Sequence, residues 1–529
     1  MNKSSKIYIN GNIYSLDKKG NKYSYLAVHG DRISGLGNEE KDIKSYGTDV
    51  EIIDLKGKAV VPGFNDSHMH LFNCAYNKRK IILNSYSSIE EIIEAGKGYN
   101  KNFSWILGRG WNQDLLLEQR MLEKKDLDKI SLEKPVCFTR VCGHVVAVNS
   151  KALEICGITR ETKVVGGDID FDRGILSETA IDLVNLKIED PSFYEIKEMI
   201  REITLELNRV GITSVQTDDF ENLSSKDFRK IIEAYLELER ENNLSVRIYE
   251  QGLLPRIDRI KDFLKLGLKT GMGSTFFRMG PIKLLIDGSL GGKTALLTEP
   301  YLNSENRGIA VYNQKELNEI VSFADNNDFQ IAIHAIGDEA MKMALESYKR
   351  ISNIENKRNG IVHCQITNNN LIEEMKKFQI LAYIQPIFLD YDLHIVNERV
   401  GETRGKESYA WNSMLGKNVS ISFGSDAPVE TFDVIKGIHC AVNRQDLNYN
   451  PKDGWNSTEK ITVTDAIKAY TLGGAYASFE ENEKGTLEIG KLADFVVLSD
   501  NIFEIDTQKI LGIKVEKTIL GGKIVYEIK

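Results

Sequence analysis

Short apolar runs alternate with amphipathic stretches along the chain from about residue 190 onward. In residues 191–211 isoleucine and leucine recur at intervals of three and four before Gly211, which is typical of a helix with one buried face and a glycine end. Strands that alternate with helices pair in parallel, and eight such units predict an α/β protein built on a closed (β/α)8 TIM-like barrel. Counted from residue 59, the eight candidate strands are AVVPGFNDSHMH, ITSVQTDD, VRIYEQG, IKLLIDGS, QIAIHAIG, GIVHCQ, ILAYIQP and SISFGSDAP.

Both ends of the chain differ from this middle part. They contain short strand-like runs, and those at the beginning are separated by Asn-Gly and Gly-Asp turns, as in KIYINGNIYSLD and YLAVHGDRISGLG. We therefore predict a composite β-sandwich domain formed by both termini, residues 1–61 and 475–529, with the barrel in residues 62–474. About 120 residues separate the first two barrel strands, too many for an ordinary connection, and they predict an inserted subdomain at about 75–190 that covers the pocket and supplies substrate contacts.

Charge and hydropathy exclude several classes of partner. The net charge of −9 is spread along the chain without long blocks of one sign, so nucleic acid is not an expected partner. No apolar window approaches about 18 residues and the first residues lack the apolar centre of a signal peptide, which predicts a cytoplasmic protein without a membrane partner. The six cysteines contain no Cys-x-x-Cys pair. A small-molecule substrate and a homodimer are the expected partners for a chain of this size.

His68 and His70 stand two residues apart at the end of an apolar run. Because side chains alternate along a strand, both imidazoles face the same side and can bind one metal ion. Taken alone, the spacing fits two core histidines as well. His334 and His363 end two later candidate strands and Asp426 follows the last, so a shared metal centre explains all five residues better. Imidazoles and a carboxylate suit Zn or a similar divalent ion.

Lys283 lies on the fourth candidate strand among isoleucine and leucine. A protonated lysine cannot bind a metal, but burial lowers the pKa of the amine, and the neutral amine can react with carbon dioxide to form a carbamate. Such a carboxylated lysine can bridge two metals. The alternative is a structural lysine paired with a nearby acid such as Asp287.

These motifs together resemble the amidohydrolase superfamily of metal-dependent hydrolases, and more narrowly amidohydrolase family 3, the YtcJ-like group that includes N-substituted formamide deformylases. The resemblance covers essentially the whole chain. It rests on the terminal strands and on the segments PGFNDSHMH, GHVVAVNSKAL, IKLLIDGSLGG, HAIGDEA, VHCQ and GSDAPVE, in this order.

The resemblance implies a division of the ligands between two metals. His68 and His70 would bind the first metal with Asp426, His334 and His363 would bind the second, and carboxylated Lys283 would bridge them. Zn is the expected ion, with one or two per chain.

The resemblance also implies a chemistry. The activity would be hydrolysis of an amide or other C–N bond of a small non-peptidic substrate by a metal-activated hydroxide, with Asp426 as general acid/base. A deaminase or cyclic-amide hydrolase on the same scaffold is the alternative, and a non-catalytic amidohydrolase-like interaction protein is a third. The superfamily's deaminases use one metal and lack the bridging lysine, so Lys283 favours the two-metal hydrolase.

Four residues are candidates for contact with the substrate. His144 and Asn149 lie in the GHVVAVNS segment, where a hydrogen-bonded structural pair is the alternative. Trp111 is a candidate for an aromatic wall of the pocket, although tryptophan more often packs in a core. Arg404, in the long loop after the seventh strand, is a candidate for binding an anionic group of the substrate.

Overall fold

The computed structural model describes residues 5–39, 46, 50–99, 104–140, 145–164 and 167–528. Two compact units divide the chain. The first unit comprises Met1–Leu71, Ile200–Phe220 and Ile231–Lys529, and the second comprises Phe72–Met199 with Glu221–Lys230. Within the described residues, no helix is long and apolar enough to cross a membrane.

Eight parallel strands form the central sheet of the first unit and confirm the predicted barrel. Each strand pairs with the next along the chain, so the order in the sheet follows the sequence. The eighth strand returns to the first, because the Asp426 amide donates to the His68 carbonyl at 2.8 Å and the His70 amide donates to the Ala427 carbonyl at 2.8 Å. The strands are β1 Phe64–Met69, β2 Ile212–Thr217, β3 Arg247–Leu253, β4 Phe277–Leu285, β5 Ile331–Ala335, β6 Gly360–His363, β7 Leu381–Ile384 and β8 Ile421–Phe423.

Helices follow most of these strands, and several begin at a polar residue whose side chain caps them. Asn313 is an example, since its side chain accepts from the Glu316 amide while the Glu316 carboxylate accepts from the Asn313 amide. The α-helices along this part of the chain are Phe193–Arg209, Phe228–Arg240, Ile257–Leu264, Gln314–Asp325, Asp338–Tyr348, Asn369–Lys377, Leu389–Asp392, Val396–Glu407, Trp411–Gly416, Val434–Asn443, Val463–Lys468 and Gly474–Ala477. Shorter helical turns are Ile354–Asn356, Pro386–Phe388, Ser457–Glu459, Ala469–Gly473 and Thr507–Gly512.

Strands from both ends of the chain share one six-stranded sheet in the first unit. A four-stranded sheet packs against it through a common apolar core that includes Tyr8, Leu26, Val60, Phe495 and Ile519. In sheet order the six strands are Lys523–Glu527, Val515–Leu520, Phe495–Leu498, Ala59–Pro62, Asn12–Tyr14 and Lys22–Tyr23, and the four are Arg32–Gly37, Tyr25–His29, Ser5–Ile9 and Val50–Asp54.

One predicted strand proves to be two. The run from residue 59 to residue 70 breaks at Gly63, so that Ala59–Pro62 joins the six-stranded sheet and Phe64–Met69 begins the barrel. Proline has no amide hydrogen to continue a ladder, and a Cβ at Gly63 would come within 2.2 Å of the Thr213 side chain.

The second unit has a sheet of its own, which the sequence analysis did not predict. In sheet order its strands are Gly167–Asp170, Ile175–Glu178, Val145–Val148, Val136–Arg140, Ile106–Trp111 and Lys80–Ile82. The helices in this part are Leu71–Asn77, Ile89–Lys97, Lys124–Leu127, Ser150–Cys156 and Asp182–Asn185, with a 3-10 turn at Thr179–Ile181. The sequence prediction placed this insertion at about 75–190.

Candidate metal centre

The side chain of Gln251 fixes which nitrogen of His68 carries a proton. The amide nitrogen of Gln251 donates to the Ser67 carbonyl at 3.1 Å, and this contact turns its oxygen toward Nδ1 of His68 at 2.8 Å. An amide oxygen only accepts, so Nδ1 carries the hydrogen and Nε2 presents its lone pair. His68 is buried, and desolvation together with the charge of Lys283 lowers its pKa to about 4.

The backbone fixes His70 in the same way. Its Nδ1 lies 3.1 Å from the Asp218 carbonyl, which only accepts, so the neutral ring has its lone pair on Nε2, the nitrogen that faces Asp426. Burial alone would lower the pKa of His70, but the hydrogen bond that the protonated ring donates to Asp426 and the charge of Asp218 raise it to about 9, so a metal ion competes with a proton for Nε2.

Three acceptor atoms converge at this end of the barrel. Oδ1 of Asp426 lies 3.2 Å from Nε2 of His68 and 3.1 Å from Nε2 of His70. Burial would raise the pKa of Asp426, but hydrogen bonding to both imidazoles holds it well below its usual range. When both rings are neutral, these three atoms all present lone pairs and repel one another unless a proton or a metal ion lies between them. Among the described residues, the group of possible ligands whose atoms lie within 4.8 Å of one another is His68, His70 and Asp426.

His363 and His334 extend this centre along the strand ends. Nδ1 of His363 lies 2.7 Å from the amide oxygen of Gln385, whose amide nitrogen donates to the Tyr383 carbonyl at 3.1 Å, so Nε2 of His363 is again the lone-pair nitrogen. The rings of His334 and His363 have centroids 4.4 Å apart, and those of His68 and His363 lie 5.8 Å apart. Burial and the neighbouring imidazoles lower the pKa of His363 well below its usual value.

Asp287 and Gly288 orient His334. Nε2 of His334 lies 3.1 Å from the Gly288 carbonyl and 3.3 Å from Oδ1 of Asp287. A nitrogen that faces a carbonyl must donate, which leaves Nδ1 as the nitrogen able to bind a metal. The Asp287 carboxylate is itself held by the backbone amides of Ile336 and Gly337.

Lys283 lies beside the ring of His68 and is almost fully buried. Its Nζ is 3.1 Å from Nε2 of His68 and 3.6 Å from Oδ2 of Asp218. Burial lowers the pKa of the amine, while the charge of Asp218 opposes that shift. The alternative of a structural lysine paired with an acid such as Asp287 meets a different acid, because Asp218 faces the amine and Asp287 turns toward His334.

Two of the predicted substrate residues have structural roles inside the second unit. The Asn149 oxygen caps a helix by accepting from the Ala152 amide and also accepts from the Val136 amide, and its nitrogen donates to two backbone carbonyls, so both polar atoms are engaged within the unit. Trp111 is fully buried and donates to the Phe138 carbonyl at 3.0 Å. Contact with substrate stays a prediction that these bonds do not support, and His144 lies outside the described residues.

Arg404 is committed to the backbone as well. Its guanidinium donates to the carbonyls of Val400, Glu299 and Pro300 at 2.7 to 2.8 Å. Three carbonyl partners leave little of this group to bind an anion, so the prediction that Arg404 holds an anionic substrate group lacks support in these contacts.

Sequence reasoning missed Asp66 and Gln385 as positioning residues. Asp66 accepts from the Ser425 hydroxyl at 2.5 Å and from the amides of Ser425 and His68 at 3.0 and 3.2 Å, so it holds β1 against the segment that carries Asp426. A signal for Gln385 is present in the sequence, since it follows β7 directly, as a polar residue after an apolar run. No comparable signal exists for Asp66, because its main partner, Ser425, lies 359 residues further along the chain.

Comparisons with known proteins found similar sequences over almost the whole chain. The family model described as an amidohydrolase family matches residues 51–526. YtcJ of Bacillus subtilis (strain 168), a protein assigned to the amidohydrolases, is 30% identical to this chain, and the match covers 98% of this chain and 99% of that protein. N-substituted formamide deformylase of Arthrobacter pascens is 23% identical, with 98% of each chain covered.

A solved structure extends the likeness to three dimensions. The crystal structure of an uncharacterized metal-dependent hydrolase from Pyrococcus furiosus superposes with a TM-score of 0.80 at 29% identity, and the match covers 94% of this chain and 100% of that one. The similarity therefore includes the terminal sheets and the insertion as well as the barrel.

Proposed function

Since the chain belongs to the amidohydrolase family and is by that membership a metal-dependent hydrolase, we propose that it cleaves an amide or other C–N bond of a small non-peptidic substrate. The observation that carries this proposal is the convergence of the Nε2 atoms of His68 and His70 on the Asp426 carboxylate. The name of the Arthrobacter pascens relative, an N-substituted formamide deformylase, supports the choice of bond.

The donor set fits a divalent metal. His68, His70 and Asp426 would hold one ion, and His334 and His363 a second. Neutral imidazoles and a carboxylate are ligands that Zn²⁺ prefers, and we propose Zn as the ion. Lys283, once carboxylated, would supply the bridging carboxylate. The resulting negative charge would stand beside Asp218, so it requires compensation by cations.

Each residue of the site has a defined part in hydrolysis. A divalent ion bound here supplies a Lewis acid and lowers the pKa of a water molecule. The Asp426 carboxylate accepts a proton from the attacking water as the carbon–oxygen bond forms, and it returns that proton to the nitrogen as the carbon–nitrogen bond breaks. The products are a carboxylic acid and an amine, and Asp426 ends as it began. Gln251, Gln385 and the Asp218 carbonyl keep the imidazoles in the tautomers that bind metal.

We also propose that the partners are limited to the small-molecule substrate and a second copy of the chain. The spread negative charge supports the exclusion of nucleic acid. Gel filtration coupled to light scattering tests the homodimer. The cytoplasmic location stays a prediction of the sequence.

A substrate screen on metal-loaded protein tests the activity. The panel comprises formamides, N-acyl amines, cyclic amides and aminated heterocycles, with release of amine, acid or ammonia as the readout. We expect turnover among the formamides and N-acyl amines. Ammonia release from the heterocycles alone would favour the deaminase instead. Freshly purified protein without stoichiometric Zn, Mn or Fe would contradict a metal-dependent enzyme.

A further inference from the structure

Three acidic residues and one glutamine lie beyond the C-terminal ends of β6, β7 and β8, at the same end of the barrel as His363 and Asp426. Gln365 follows β6 by two residues, Asp390 and Asp392 lie in the short helix after β7, and Glu430 follows β8. We call Gln365, Asp390, Asp392 and Glu430 the acidic wall. The metal centre adjoins it, because the ring of Phe388, just before Leu389–Asp392, stacks on His363 with centroids 5.8 Å apart.

Contacts with neighbouring groups hold two members of the acidic wall in place. Oδ2 of Asp392 accepts from the Tyr409 hydroxyl at 2.7 Å and from the Gln365 amide nitrogen at 3.3 Å. Oδ1 of Asp390 accepts from the Leu447 amide at 2.7 Å. These contacts orient the carboxylates without neutralising them, since each donor is uncharged.

The amide of Gln365 adds an acceptor that lacks a partner. Gln365 is only 4% exposed, and its nitrogen is bound to Asp392, which fixes the direction of the amide. Within the described part of the chain its oxygen accepts no hydrogen bond. A buried amide oxygen without a donor costs about 1–3 kcal/mol, so this oxygen would accept an N–H group that reaches it.

The charges at the acidic wall are strongly one-sided. Burial and the charges of Asp390, Asp392 and Asp426 raise the pKa of Glu430 to about 7. Such a rise measures how unfavourable another negative charge is at this position. A bound cation would offset this repulsion.

The nearby basic side chains contact other groups and do not neutralise the negative charge of the acidic wall. Arg444 is packed between Trp411 and Trp455, with its guanidinium carbon 4.5 and 5.0 Å from the ring centroids. His394 lies 3.0 Å from Asp446. Across the described ranges, neither Arg444 nor His394 forms an ion pair with a member of the acidic wall.

The inference that follows rests on the proposed function of the same site. We propose that the acidic wall binds a positively charged arm of the substrate, so that the enzyme hydrolyses amides carrying an ammonium or guanidinium group. Carboxylates and an amide oxygen accept the N–H donors of such a group, and the site so built disfavours an anionic arm through like-charge repulsion.

Three matched formamides test the preference at pH 8. They are N-benzylformamide, its para-aminomethyl derivative, which is a cation, and its para-carboxylate. We expect kcat/KM for the cation to exceed that for the neutral compound by about tenfold or more and to exceed that for the anion further. Equal values for the cation and the neutral compound would overturn the proposal while leaving the proposed function intact.

The variants Glu430→Gln and Asp390→Asn remove one charge each with little change in shape. In either variant the ratio of kcat/KM for the cation over the neutral compound should fall about tenfold, mainly through KM. Glu402→Gln, an exposed site on Val396–Glu407, is the control and should keep both the ratio and the activity. An unchanged ratio in both folded variants would contradict the assignment.

A binding measurement separates failure of the subsite from failure of the proposed function. If none of the amides is hydrolysed, the proposed function fails, and calorimetric titration with benzylammonium and with benzoate decides the subsite. Binding of benzylammonium that Glu430→Gln weakens supports the acidic wall as a cation site. No binding of benzylammonium, or equal binding of benzoate, overturns it.

Discussion

At the scale of single residues, two glutamines decide the chemistry of two histidines. Gln251 and Gln385 are each turned by a backbone carbonyl, and each then requires a hydrogen on Nδ1 of His68 or His363. An imidazole with free rotation or the wrong tautomer binds metal less tightly.

Gln251→Leu tests this dependence. Without the amide oxygen, Nδ1 of His68 loses its acceptor, and we expect metal affinity to fall about 10- to 100-fold with unchanged far-ultraviolet circular dichroism. Competition with a chromogenic chelator measures the affinity. Gln508→Leu, at an exposed position, serves as the control and should leave the affinity as it is. Equal affinities in the wild type and Gln251→Leu would show that the tautomer is set by other means.

Replacement of both first-strand ligands tests the centre itself. His68→Ala combined with His70→Ala removes two of the three converging atoms, so we expect loss of that metal and of activity with the fold retained. Elemental analysis and circular dichroism are the measurements, and His29→Ala in the terminal sheets is the control. Unchanged metal content in the double variant would be incompatible with the assignment.

The pairing of His68 with His70 could be predicted from the sequence, whereas the partner of Lys283 could not. A period of two along a strand was enough to pair His68 with His70, because that geometry is local. The partner of Lys283 depends on how neighbouring strands are staggered, and the structure places Asp218 rather than Asp287 beside the amine. Local pattern carries no information on such stagger.

Lys283 also carries a prediction. We expect the intact mass of protein kept near neutral pH with bicarbonate and metal to exceed the sequence mass by one carbon dioxide, and Lys283→Arg to lack this increase. The carbamate is expected because burial lowers the pKa of the amine and so favours its neutral, reactive form. An unmodified lysine under these conditions would favour a single-metal site.

At the scale of elements, the barrel closes by close approach of β8 to β1. A Cβ at Gly424 would lie 2.5 Å from the His68 amide nitrogen and 2.8 Å from Oδ1 of Asp66. The backbones of β8 and β1 therefore lie so close together that no methyl group fits between them. This close approach brings Asp426 to His68 and His70.

Gly424→Ala should disrupt this closure. We expect a loss of about 1–3 kcal/mol in the free energy of unfolding, together with weaker metal binding, because the added methyl group pushes the two strands apart. Gly416→Ala is a matched control, since no atom of the described residues lies within 4 Å of its Cβ position, and it should change stability by less than about 1 kcal/mol. Urea unfolding of both variants measures the difference, and similar losses in the two would refute the close-approach argument.

The alternation of strands and helices was sufficient to predict the barrel, because each unit is long and periodic. The sheet of the second unit escaped prediction since its strands are short, as in Lys80–Ile82, and lie among helical and irregular segments. Gly63 lies between the strand Ala59–Pro62 and β1. Only the pairing partners of these two strands show that they belong to different sheets.

At the scale of the whole molecule, the end of the chain supports the beginning of the barrel. Phe495–Leu498 pairs with Ala59–Pro62, and the carbonyl of Asp494 accepts from the Gly63 amide at 2.9 Å, one residue before β1. The Asp494 carboxylate forms a buried two-point ion pair with Arg247 of β3, at 2.7 and 3.0 Å. One residue near the C-terminus thus joins β1, β3 and the six-stranded sheet.

Asp494→Asn should accordingly cost more than an ordinary surface change. It removes the carboxylate that is directly paired with the guanidinium of Arg247, 3% exposed, and we expect the free energy of unfolding to fall by about 3–5 kcal/mol. Asp258→Asn breaks the pair with Arg256, where both side chains are 66% exposed, and should leave the free energy of unfolding almost unchanged. Urea unfolding gives both values, and equal small losses would count against a supporting role. Because Asp494 also anchors the residue before β1, the first variant should weaken metal binding, whereas the second should not.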